Sequence, residues 1–72
     1  MKYIRHHKLG FILFEASVGH DEVARCLGGA EKVISAGFVF APTAAVKCIG
    51  HSSSLNLSAA PSDGPDLQSR ML

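Results

Sequence analysis

Polar and apolar positions alternate poorly in this chain, and where they fail to alternate is informative. Leu9–Phe14 and Ala36–Phe40 are nearly unbroken apolar runs, each built on Gly-Phe-(Ile/Val) and ending in Phe, and together they hold all four phenylalanines. Strands that are apolar on both faces are covered on both sides. Around them the pattern predicts further elements. Lys2–His7 mixes Tyr3 and Ile4 with charges and histidines, which suits an exposed edge strand, and His7-Lys8 suits a turn. Asp21 and Glu22 suit the positive end of a helix dipole, Val23, Cys26 and Leu27 fall on one helical face, and Gly28-Gly29 stops the helix. Val33–Phe40 is again apolar on both faces and Pro42 ends it, and Ala45–Ile49 reads as a strand forming a hairpin with it. Gly50–Ser53 is a polar break. Leu55 and Leu57 then alternate with Ser54, Asn56 and Ser58, a half-buried strand pattern. Pro61–Pro65 is a loop, with Pro65 and Asp66 opening a C-terminal helix whose apolar side is Leu67, Met71 and Leu72.

The expected fold class is therefore α+β: a small antiparallel sheet of four to five strands with one short central helix and a C-terminal helix, in ββαββ(β)α order, with the helices on one face. Seventy-two residues form a single domain, 1–72. The two Gly-Phe runs are too short a match to establish an internal duplication.

Composition adds a constraint on assembly. A chain of this size hides only about 60% of the surface that its unfolded form exposes. Yet 47% of its residues are hydrophobic and only 18% charged, so part of the apolar surface is expected to face another chain. The candidate interface residues are Phe11, Leu13, Phe38, Phe40, Met71 and Leu72. A homo-oligomer is the expectation.

Charge narrows the partners. The net charge is +1, and Lys2, Arg5 and Lys8 with His6 and His7 form a small basic cluster that reads as solvated edge rather than phosphate patch. Nucleic acid is a disfavoured partner. The apolar run near the N-terminus is too short for a signal peptide's core, and no stretch approaches a membrane span, so a cytoplasmic location is expected. There Cys26 and Cys48 would stay reduced and pack as small buried hydrophobes.

The chemistry-bearing residues do not assemble into a catalytic motif. Gly50-His51-Ser52-Ser53-Ser54 has the outline of a nucleophile elbow but lacks its final glycine and the strand–turn–helix context. A polar loop whose hydroxyls and N–H groups hold an anion is the better functional reading, with an ordinary serine-rich turn as the simpler one. Four histidines and two cysteines show no paired zinc-ligand spacing, and His6 and His7, adjacent in a strand, would face opposite sides. His20 is expected to cap its helix or to be solvated. No catalytic residue, metal or cofactor is expected.

Lys2-Tyr3-Ile4 leading into Lys8-Leu9-Gly10-Phe11, then Ile34–Phe38, then Cys48–Leu57 together resemble short uncharacterised proteins carried by bacteriophages and prophages, over most of the chain. That resemblance transfers no residue roles. It implies a small accessory protein that acts by binding, either blocking a host protein (a defence component among them) or sequestering a host signal molecule. Two functions follow as expectations. The first is a non-enzymatic, homo-oligomeric binding protein that occupies a host protein's surface. The second is a small-ligand binder for a nucleotide or signalling nucleotide between subunits, lined by His51, Ser52, Ser54, Asn56 and Arg70, the last pairing with phosphate.

Overall fold

The computed structural model describes residues 1–41 and 45–71, with Met71 described by its backbone alone. The Pro42-Thr43 turn and the interface roles expected for the Met71 and Leu72 side chains lie outside the described residues. The described elements are β1 (Lys2–His6), β2 (Gly10–Phe14), α1 (His20–Cys26), a 3-10 turn (Ala30–Lys32), β3 (Val33–Phe40), β4 (Lys47–Ile49), β5 (His51–Ser52), β6 (Leu57–Ser58) and α2 (Asp63–Met71). A four-stranded antiparallel sheet in the order β2-β1-β3-β4, a smaller β5-β6 sheet and two α-helices confirm the α+β class.

The order corrects the place expected for the first strand. β1 is central, with Ile4 opposite Ile12 of β2 on one side and Ala36 of β3 on the other. Tyr3 and Ile4 are both fully buried. The edge reading followed the charges of Lys2 and Arg5, but Arg5 finds carboxylates at short range and costs the central position little. The edges are instead β4 and β2, the latter the most apolar strand. Since β2 and β3 are both antiparallel to β1, they run parallel to each other. The chain between them must cross over β1, and α1 is that crossover.

α1 is short because its stop signals work. The Gly19 N–H donates to Glu22 Oε1 (3.0 Å) at its start, and Gly28 and Gly29, both at φ 104, turn the chain away at its end. Such a helix persists only by packing. Ala24 is its buried contact in a cluster with Ile4, Val33 and Ala36, flanked by Ile12, Phe14, Val23, Leu27, Leu55 and Leu57. Tyr3, the neighbour of Ile4 on the same strand, points to the other face and meets Asp63 of α2. The two helices therefore cover opposite faces of the sheet, not one face. Much of the second cover that β1 and β3 require is supplied by α2 of the same chain.

Two further expectations change. Leu55 and Leu57 do pack on the core, but only Leu57–Ser58 is strand, paired with His51–Ser52 from the segment expected to be a polar break. The four residues between them close a hairpin in which Asn56 takes φ 54, a conformation asparagine tolerates better than most side chains. α2 begins at Asp63, ahead of Pro65, inside the expected loop.

Gly37 explains how β4 leaves the sheet. A Cβ there would lie 2.5 Å from the Ile49 carbonyl oxygen and 3.3 Å from Ala59 Cβ, so the chain after β4 passes where only glycine leaves room.

Candidate functional site

The β5–β6 hairpin gathers His51, Ser52, Ser54 and Asn56, and it ties the side chains of His51, Ser52 and Ser54 within itself. Ser52 is buried, and its hydroxyl accepts the Leu55 N–H (3.3 Å) and lies 3.4 Å from Ser54 Oγ. His51 Nδ1 bonds Ser58 Oγ at 2.7 Å across the hairpin. Arg70 is placed on α2, where its guanidinium lies over the Phe11 ring at 5.6 Å, near Gly10 of the β2 edge. Arg5 lies over the same ring at 4.7 Å, so two cations flank Phe11.

Sequence reasoning missed the largest polar assembly, which lies beneath α2. Asp63 is wholly buried. Its carboxylate accepts the Tyr3 hydroxyl (2.5 Å), the Ala60 N–H (2.9 Å) and Arg5 Nη1 (3.1 Å), while Arg5 Nη2 reaches Asp66 (2.9 Å). Burial alone would push the Asp63 carboxyl up. The bonds from Tyr3, Ala60 and Arg5, with the Ser35 hydroxyl beside them, outweigh it and hold the group below the ordinary carboxylate range. Ser35's buried hydroxyl favours the charged carboxylate without making a hydrogen bond of full geometry. Burial, and then the Asp63 bond and charge, push the Tyr3 phenol far above its usual value. Arg5 is held more firmly protonated, the bonds to both aspartates overcoming its own desolvation. The only advance signal was the spacing of Tyr3 and Arg5 on one face of a strand. Nothing local tied them to an aspartate 60 residues beyond Tyr3 and 58 beyond Arg5.

Cys48 borders this assembly, half-buried, in a cleft of about 220 Å³ between β4 and the start of α2. Burial, then the charge of Asp63, push its thiol up, and the Tyr3 bond and Arg5 only partly offset this. A thiol so placed is a poor nucleophile. Cys26 is exposed, against the expectation of a buried position, because the inward face of α1 runs through Ala24.

The histidines are also placed differently from expectation. His20 is buried, with its Nε2–H donating to the Gly37 carbonyl (2.9 Å) and its ring edge-on to Phe14 and Phe38. It neither caps α1 nor meets solvent. His6 is buried too. Its Nε2–H donates to the Leu27 carbonyl (2.9 Å), and its Nδ1 accepts the N–H groups of Lys8 and Leu9 (3.1 Å each), which fastens the β1–β2 turn to the end of α1. His7 falls in that turn, so strand alternation does not apply, and its ring lies 5.0 Å from that of His6. Among the described residues no group of three or more His, Cys, Asp or Glu side chains could hold a metal ion.

Two apolar surfaces stand out among the described residues. Phe38 pairs with Ile49 and Phe40 with Lys47, so the first three form one apolar patch on a single sheet face. Neither helix covers it fully: Phe40 is 54% and Ile49 52% exposed, and Phe38 is 36% exposed. At the opposite edge, Leu13 is exposed and Phe11 half-buried, and a shallow groove of about 360 Å³ runs between Ile12 of β2 and Val23, Cys26 and Leu27 of α1.

Compared with known proteins, the chain matches no family model, no curated protein and no solved structure. No helix among the described residues is long and apolar enough to cross a membrane.

Proposed function

We propose that this chain acts by binding another protein and has no catalytic role of its own. The observation that carries this reading is the patch of Phe38, Phe40 and Ile49, three large apolar side chains side by side on one sheet face and partly open to water. Large aromatic and aliphatic anchors on a preorganised surface are what a protein interface uses as its energetic centre. Lys47 stands beside Phe40 at the rim, so the partner would offer an apolar recess with an acidic border. The phage-type resemblance fits a host protein as that partner, blocked by occupancy, with a defence component as the biological case.

The polar assembly supports the same reading. Its thiol is held protonated, its carboxylate is fully engaged and its phenol is hard to ionise, all suited to holding α2 on the sheet. The nucleotide reading has less support. Ser52 is committed within the hairpin, and Arg70 lies on Phe11 instead of over the hydroxyl cluster.

The test compares host lysate proteins retained by the immobilised wild-type chain and by a Phe40→Asp, Ile49→Asp variant of unchanged circular dichroism. The proposal expects a protein that only the wild type retains, and a purified copy of it that binds the wild type at least about a hundredfold more tightly. Identical retention by both chains would remove the patch as the binding surface.

A further inference from the structure

The geometry points to a second, separate interface: β2 pairs antiparallel with β2 of another copy of this chain, joining two four-stranded sheets into one of eight strands. This does not depend on the partner proposed above, since it uses the opposite edge of the sheet.

β2 is an edge strand bonded on one side only, by β1. Alternate residues of any such strand direct N–H and C=O groups outward, where only water or another strand satisfies them. Soluble proteins blunt such edges with proline, inward charges or bulges. Gly10-Phe11-Ile12-Leu13-Phe14 has none of these. The strand furthermore has unfilled apolar surface on both faces, with Leu13 at 40% exposure on one and the groove beside Ile12 on the other.

The strand also complements itself. A two-fold axis through Ile12 sets Phe11 against the partner's Leu13, and Gly10 against the partner's Phe14, so the residue without a side chain meets the bulkiest one. Lys8 lies just before the strand and Glu15 just after it, both exposed. Antiparallel pairing puts the Lys8 end of each strand at the Glu15 end of its partner, one residue out of direct register (Lys8 opposite Ala16, Glu15 opposite Leu9), whereas parallel pairing would set like-charged ends together. The two grooves then face one another across the seam, each opening on the other copy's Ile12. One contact thus satisfies the backbone, covers Leu13 and closes both grooves, with closed two-fold symmetry.

Sedimentation equilibrium of the full chain from low micromolar to millimolar concentration tests this. The expected result is a reversible shift to twice the chain mass. Leu13→Lys, at a position already open to solvent in one copy, should stay folded and lose the heavier species. Lys8→Glu should weaken association by about three- to tenfold, and adding Glu15→Lys should restore it. The Phe40→Asp, Ile49→Asp variant should still dimerise, which separates this seam from the partner surface. A single-chain mass at every concentration overturns the proposal. So does a dimer that Leu13→Lys leaves unweakened, since the contact would then lie elsewhere.

Discussion

Asp63 concentrates most of what a single residue does here. It is buried, charged and shared between β1 and α2, so removing any of its partners leaves part of a carboxylate unpaired inside the protein. Tyr3→Phe deletes one donor and is expected to cost about 1–3 kcal/mol in urea unfolding. Arg5→Met leaves Asp63 without its counter-charge and should cost about 3–5 kcal/mol. The pH dependence follows from the direction of the shift. Asp63 has a lower pKa folded than unfolded, so on acidification the unfolded chain takes up the proton first. Its contribution to stability is then complete above the ordinary carboxylate pKa of about 4 and is lost as pH falls through the lower folded value. Urea midpoints of the wild type should fall across that window, and those of Asp63→Asn should be lower at neutral pH but flatter in acid. Equal slopes in the two chains would show that Asp63 does not carry the acid limb. Gly37 gives a steric counterpart: Gly37→Ala must displace the Ile49 carbonyl and should cost about 1–3 kcal/mol by the same measurement.

Among the elements, the ones easiest to anticipate were those with local punctuation. α1 begins at its acidic pair and ends at Gly28-Gly29, and β3 has the length its apolar run implies, because capping, glycine turns and apolar runs act within a few residues. What escaped was set by partners far along the chain. β1 looked like an edge because Arg5 is charged, and only Asp63 and Asp66, on the last helix, make that charge compatible with a central strand. Cys26 looked buried because Val23, Cys26 and Leu27 share a helical face, but a helix crossing over β1 buries the neighbouring Ala24 and leaves the Cys26 side over the outer groove. The serine cluster was legible as polar and turn-like, but its closure into a hairpin depends on Asn56 accepting φ 54. Asn56→Gly should therefore change stability by a few tenths of a kcal/mol, whereas Asn56→Val should cost about 1–2 kcal/mol. A thermal melt of both variants checks this, and equal losses would assign Asn56 some role other than its backbone conformation.

For the whole molecule, the expectation from composition was more apolar surface than one copy could shelter. Much of that surface is sheltered within the chain, by α1 and the hairpin on one face and by α2 on the other. Of what stays exposed among the described residues, Met1 and Ile34 stand apart, and the rest gathers in two places, the Phe38–Phe40–Ile49 patch and the β2 edge, at opposite ends of the strand order. A chain with two such surfaces would pair with itself through one and present the other twice, once from each copy. Doubling the sites strengthens binding to a partner that is itself multivalent or densely arrayed. The most direct measurement is amide hydrogen exchange of the native chain at low and high concentration. The account predicts that Gly10–Phe14 gains protection as concentration rises, while Lys47–Ile49, at the other edge, exchanges unchanged. Exchange in β2 that is equally fast at every concentration would contradict it.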